Sequence, residues 1–251
     1  MRTNLINKEN VKPEVPVNDG MLDMVIAFDT TGSMASYIGA VKEHVKELVP
    51  KLFKQNPDLR IGIVAFGDYC DMPSGDEFGK AYQVCELTDD ENKLIKFITN
   101  AKNTNGGDGD EFYELVIKKI TEETNWREDS TKAVLLIADA NPHKVGYSFR
   151  GRVFNSQIDW IEEAKKAAEK GIKFDTLTIN TKEWYKKLSK ITNGVSAPFS
   201  TSSKTSYLVE AAALARGGSK TKDAYEATMS SFVDDAEMSA VYAAYSKEVV
   251  S

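Results

Sequence analysis

The sequence predicts an α/β fold: a mostly parallel central sheet with helices on both faces. Three observations carry this. Apolar strand-like runs alternate with stretches of helical periodicity along the whole chain. Two runs, 22–28 and 133–138, are apolar at nearly every position, as in strands buried on both faces. Both run straight into an aspartate, Asp29 and Asp139, and in an open parallel sheet ligands bind beyond the carboxyl ends of the strands.

Residues 1–20 are polar, contain Pro13 and Pro16, and read as an extended arm. The first strand, 22–28, enters the turn Thr31-Gly32-Ser33. Ile38, Val41, Val45, Leu48 and Leu52 then recur at helical spacing, and Asn56-Pro57 closes the helix. A second strand covers 59–66. Residues 69–79 form a loop with Pro73, Gly75 and Gly79, and 81–87 is a short edge strand. Thr88-Asp89-Asp90-Glu91 reads as an N-cap followed by first-turn acids, opening a helix through Leu94, Ile95 and Ile98. The turn-rich acidic loop 103–111 leads to a helix with Phe112, Leu115, Val116 and Ile120 inside; Asp110 and Glu111 read as acids at its start.

The strand 133–138 ends in Asp139-Ala140-Asn141-Pro142-His143. A glycine-containing loop precedes a helix with Ile158, Ile161, Ala164 and Ala168, which Gly171 ends. A strand over 172–179, a short helix over 184–191, a strand near 195–200 and a helix through Tyr207 to Ala215 complete the alternation. Gly217-Gly218-Ser219 reads as a hinge or linker. Residues 220–250 form an amphipathic helix or helix pair.

The chain of 251 residues suits one large domain with an appendage, and 41% hydrophobic residues supply a core. A net charge of −6 argues against nonspecific nucleic-acid binding. No apolar run reaches the roughly 20 residues a membrane span needs. There is no apolar export segment, and Cys70 and Cys85 make no disulfide framework, so a reduced, cytoplasmic setting is expected.

Chemistry concentrates in three acidic loops, offering Asp29, Thr31 and Ser33, then Asp108, then Asp139. Right-handed crossovers gather such loops at one sheet edge. Carboxylate and hydroxyl oxygens suit a hard cation: Mg²⁺ first, with Mn²⁺ and Ca²⁺ served by the same donors. Asp29-Thr30-Thr31-Gly32-Ser33 resembles the Asp-x-Ser/Thr-x-Ser signature of von Willebrand factor A domains, which forms their metal-ion-dependent adhesion site. Gly106-Gly107-Asp108 resembles the second loop of that family, and Asp139-Ala140-Asn141-Pro142 the third.

The resemblance covers 21–216, leaving 1–20 as the arm and 217–251 as a C-terminal helical extension. It implies a Rossmann-like three-layer fold with one antiparallel edge strand. It also implies a divalent cation and a role in protein binding, with an acidic partner residue completing the coordination in many members. Asp108 departs from the pattern by standing where a threonine is usual; Thr104, before the glycines, is the poorer match. Three carboxylates on one divalent ion leave a local charge of about −1 by simple counting, which disfavours an acidic partner residue. Asp108 holding a metal-bound water instead is the alternative.

Bland roles stand beside these. Asp29 also suits a helix cap, and Asp68 and Asp71 suit a solvated loop. His143 suits a metal or a ligand hydrogen bond, and beside Pro142 it suits loop ordering more; His44 suits a helix surface. No Gly-x-Ser-x-Gly elbow or Walker loop is present, and Asp29-Thr30-Thr31 lacks the second acid of an Asp-x-Asp phosphatase. The sequence therefore reads as a binding module, an interaction or regulatory component of a larger assembly, and not an enzyme. A metal-assisted hydrolase using Asp29 is the alternative.

Overall fold

The computed structural model describes residues 20–73, 77–155, 157–179, 182–198, 202–232 and 234–249. The N-terminal arm, apart from Gly20, and the end of the strand expected near 195–200 lie outside them. In chain order the elements are β1 (Leu22–Asp29), α1 (Ala35–Gln55), β2 (Leu59–Phe66), β3 (Tyr82–Thr88), α2 (Glu91–Asn100) and β4 (Asp110–Glu111). Then come α3 (Tyr113–Glu123), β5 (Thr131–Ala138), β6 (Asn141–Pro142), β7 (Tyr147–Phe149), β8 (Arg152–Asn155) and α4 (Trp160–Glu169). The chain continues through β9 (Ile172–Thr178), α5 (Glu183–Ile191), β10 (Ser196–Pro198), α6 (Ser202–Arg216), α7 (Lys222–Ser230) and α8 (Ala236–Val249).

Six strands form the central sheet in the order β10-β9-β5-β1-β2-β3. Among the described residues five are parallel, and β3, at the edge, runs antiparallel, against β2. The most apolar strands take the middle because only there are both faces covered: every residue of β1 is buried. Side chains alternate across the sheet. Met24, Ile26 and Phe28 pack with Ile38, Val41 and Val45 of α1 and with apolar residues of α2, α6, α7 and α8. Val25 and Ala27 face the other layer, with Val116 and Ile120 of α3, Ala164 of α4 and Leu188 of α5. This is a three-layer α/β sandwich. No helix among the described residues is long and apolar enough to cross a membrane.

Several local expectations change. Asp90, not Thr88, caps α2, accepting from the Lys93 amide at 3.1 Å; the Thr88 hydroxyl accepts from the Asp90 amide. Asp110 and Glu111 do not open a helix. They form β4, pairing in parallel with β6 as Asp110↔Asn141 and Glu111↔Pro142, and α3 starts at Tyr113. The loop before α4 holds an unanticipated hairpin, β7–β8, whose strands are too short to leave a period in the sequence. The tail folds as two helices, with Tyr225, Met229, Met238, Val241 and Tyr245 buried in the same core as α1 and α6.

Beyond the amino ends of the strands lies a polar knot. Asp23, buried inside β1, accepts from Arg60 Nε and Nη2 at 2.9 and 2.7 Å, from Arg127 Nε and the Arg127 amide at 2.9 and 2.8 Å, and from the Ser130 hydroxyl.

Candidate metal centre

Parallel β1, β2 and β5 end at one edge, so Asp29, Asp68 and Asp139 all emerge there. Asp29 is the last residue of β1 and is fully buried. Its Oδ1 accepts from the Thr31 amide at 2.8 Å and the Thr31 hydroxyl at 2.7 Å, and Thr31 Oγ1 lies 3.3 Å from Ser33 Oγ. The spacing of two therefore turns all three side chains to one point. Thr31, not Asp29, stands at the N-cap of the following helical turn, and its side chain makes no capping bond, so the simple capping role for Asp29 is not what the geometry displays.

Tyr113, at the start of α3, donates to Asp29 Oδ2 at 2.5 Å and accepts from the Ala140 amide at 3.2 Å. One phenol thus ties the loop of Asp29 to that of Asp139. The Ala140 carbonyl takes two further bonds, from Trp184 Nε1 and Tyr185 OH, each 2.8 Å, which fix the third loop. Burial pushes the Asp29 carboxyl up to about 7. The bonds from Tyr113 and Thr31 oppose that rise, and the charge of the nearby Asp139 adds to it.

The second loop is held from below. Asp71 accepts from the Asn105 and Gly106 amides at 2.9 and 3.0 Å, so it clamps this loop and is no solvated bystander. Gly106 has φ +71°, a conformation open mainly to glycine, and a Cβ on Gly107 would stand 2.6 Å from Cys70 Sγ. Thr104 is buried, with its hydroxyl 2.9 Å from that of Thr30. Glu111 is 3% exposed; burial, then the charges of Asp29 and Asp68, push its carboxyl up to about 10.

Asp108 stands in a second group. It is exposed, its Oδ1 accepts from the Asp110 amide at 3.1 Å, and its Oδ2 accepts from Tyr147 OH at 2.9 Å. The Tyr147 ring stacks on His143 at 3.5 Å, and His143 Nε2 lies 2.7 Å from Oδ1 of the buried Asp68. The donor atoms of Asp68, Asp108 and His143 all lie within 4.8 Å of one another. Burial alone would lower the His143 pKa, but Asp68 outweighs it and the net shift is upward. Glu114 accepts from Tyr69 OH at 2.8 Å and the His143 amide at 3.0 Å, and burial pushes it up to about 7. His143 does order this loop, but as a buried partner of Asp68.

The structure therefore unites Asp29, Thr31 and Ser33, sets Asp139 within electrostatic reach, and gives Asp108 to its neighbour group. Sequence reasoning missed Tyr113 and Glu111 at the site. Glu111 carried a faint signal as one more acid in the second loop; Tyr113, 84 positions from Asp29, carried none.

A model of the von Willebrand factor type A domain matches residues 23–236. A protein of Acanthamoeba polyphaga mimivirus described as an ariadne-like RING finger protein is 26% identical over 189 residues, 70% of this chain but 18% of that protein. The pilus adhesin SpaC of Lactobacillus rhamnosus GG, in its open conformation, superposes with a TM-score of 0.58 at 15% identity, covering 88% of this chain and 31% of the adhesin. A second structure of that adhesin gives 0.58 at 14% identity with the same coverage. The chain thus spans less than a third of either matched protein, and at such identities the adhesin likeness concerns the fold.

Proposed function

Because the chain belongs to the von Willebrand factor type A domain family, we propose that it is a metal-dependent protein-binding module, an interaction or regulatory component of a larger assembly. The observation that carries the reading is the buried Asp29 carboxylate at the carboxyl end of β1, with the Thr31 and Ser33 hydroxyls beside it and Asp139 close enough to raise its proton affinity. A carboxyl that burial and a neighbouring charge push toward protonation, as at Asp29, is relieved by a cation, and the donors are all hard oxygens. The residues therefore fit Mg²⁺, with Mn²⁺ and Ca²⁺ as weaker claimants. Asp29, Thr31, Ser33 and Asp139 would hold the ion, with Asp108 at the margin. When bound, the ion supplies a positive charge and open coordination positions to an oxygen ligand from a protein partner.

We assign residues 21–216 to the binding module, 217–251 to a helical extension and 1–20 to an arm. The RING character of the viral relative is not carried over, since two cysteines and two histidines are too few for four-ligand zinc sites in a RING arrangement. A cytoplasmic setting stays part of the proposal.

The test is calorimetry with Mg²⁺ on the wild type and Asp29→Ala, paired with affinity capture in Mg²⁺ and in chelator. Asp29→Ala is expected to abolish tight binding while its far-UV spectrum stays native. Unaltered Mg²⁺ affinity in that variant sinks the reading. Asp29-dependent hydrolysis of a phosphate ester would move the assignment to the hydrolase.

A further inference from the structure

We propose that Glu111 supplies the third carboxylate of the cation site, the place the sequence pattern gives to Asp108. The inference rests on the cation-site reading above. Its observation is an unmatched atom: Glu111 is 3% exposed, and its Oε2 has no hydrogen-bond partner among the described residues. Buried carboxylate oxygens are ordinarily satisfied, so an orphan calls for an explanation. Asp108 is the reverse, exposed and with both oxygens engaged, by the Asp110 amide and by Tyr147.

Position supports the exchange. A Cβ built on Gly106 would stand 2.9 Å from Glu111 Oε1 and 3.5 Å from Cβ of Thr31, so the carboxylate lies beside the first loop. The charge it feels most is that of Asp29. Backbone pairing holds it there: Glu111 is in register with Pro142, and Asn141 Nδ2 donates to Asp110 Oδ1 at 3.0 Å, so β4 is strapped to the loop of Asp139. A cation among Asp29, Thr31 and Asp139 would give Oε2 the partner it lacks. Three carboxylates against one divalent ion leave a charge of about −1. A partner's carboxylate is then disfavoured, and a neutral hydroxyl or carbonyl oxygen suits the open position.

The test uses the full chain as wild type, Glu111→Gln, Asp108→Asn and Asp29→Ala. Each is titrated with Mg²⁺ alone by calorimetry, and thermal unfolding is followed in Mg²⁺ and in chelator. Glu111→Gln should lose at least tenfold in Mg²⁺ affinity and lose the Mg²⁺-dependent rise in Tm, yet unfold in chelator no earlier than wild type. Asp108→Asn should stay within twofold. A merely structural Glu111 would lower Tm in both media and leave affinity unmoved. Glu111→Gln binding within twofold of wild type, with Asp29→Ala still impaired, overturns the role of Glu111 and leaves the site standing. A wild type that binds no Mg²⁺ overturns both. A measurement on the wild type needs no variant: the Glu111 side-chain carboxyl ¹³C resonance should move on Mg²⁺ addition, and a stationary resonance refutes the assignment.

Discussion

At the scale of single residues, the site depends on side chains that answer one another across long stretches of chain. Asp29, Thr31 and Ser33 are legible because their geometry is local: three oxygens at a spacing of two, after a buried strand. Tyr113 is not, because its bonds to Asp29 and to the Ala140 amide exist only once α3 has packed on the sheet. Tyr113→Phe keeps the ring and removes the hydroxyl, leaving a buried carboxylate oxygen and a buried amide without that partner. We expect a loss of about 1–3 kcal/mol of stability in urea unfolding. Mg²⁺ affinity should fall severalfold as the first and third loops come untied. Wild-type values on both counts would mean that the phenol does not organise the site.

Among elements, helix and strand periods carried the succession of strands and helices along the chain, and the errors fell where segments are too short to show a period. Two-residue β4 and β6 and the hairpin β7–β8 shape the ground beside the site, yet each is specified by its partner and not by its own sequence. The tail was legible as helical but not as to where it docks. Its helices α7 and α8 pack on α6, and the Tyr245 ring lies beside Arg216, 5.6 Å away. Arg216 in turn holds the buried Asp175 at 2.6 Å. A chain ended at residue 216 uncovers these surfaces. At roughly 1.5–3 kcal/mol for each large apolar side chain buried, it should lose several kcal/mol and unfold at a clearly lower temperature. An unchanged calorimetric Tm would show the extension to be energetically separate.

For the molecule as a whole, the two ends of the sheet are built on opposite electrostatic principles. At the amino ends, Asp23 is fully buried against Arg60 and Arg127. Burial favours its neutral form, but the bonds from both arginines outweigh that and hold its pKa below the ordinary value. A depressed pKa stabilises the fold above the unfolded value, about 3.9, and the contribution is lost as pH falls through the lower folded value. Acid unfolding should therefore steepen below about pH 4. Asp23→Asn should cost roughly 3–5 kcal/mol near neutrality and flatten that acid limb. An acid limb identical to wild type would remove Asp23 from the account. At the carboxyl ends, acids crowd together: burial, then the charge of Asp139, pushes Asp29 upward, and burial, then the charges of Asp29 and Asp68, pushes Glu111 upward. Charged partners satisfy the acid at one end; at the other, acids stand close to one another.

By itself the sequence determined the α/β class, the strands that take the centre and the edge at which the acidic loops follow those strands. Those follow from local periodicity and from the rule that parallel strands end together. Only the tertiary structure decided which acids meet. Asp108 and Glu111 are three residues apart in one loop, and no local pattern says which turns inward. The pairing of β4 with β6 keeps Glu111 buried beside Thr31, while Tyr147 and the Asp110 amide hold Asp108 at the surface. The direction of a loop side chain is set by distant contacts, and those exist only after the strands, helices and intervening loops have closed on one another.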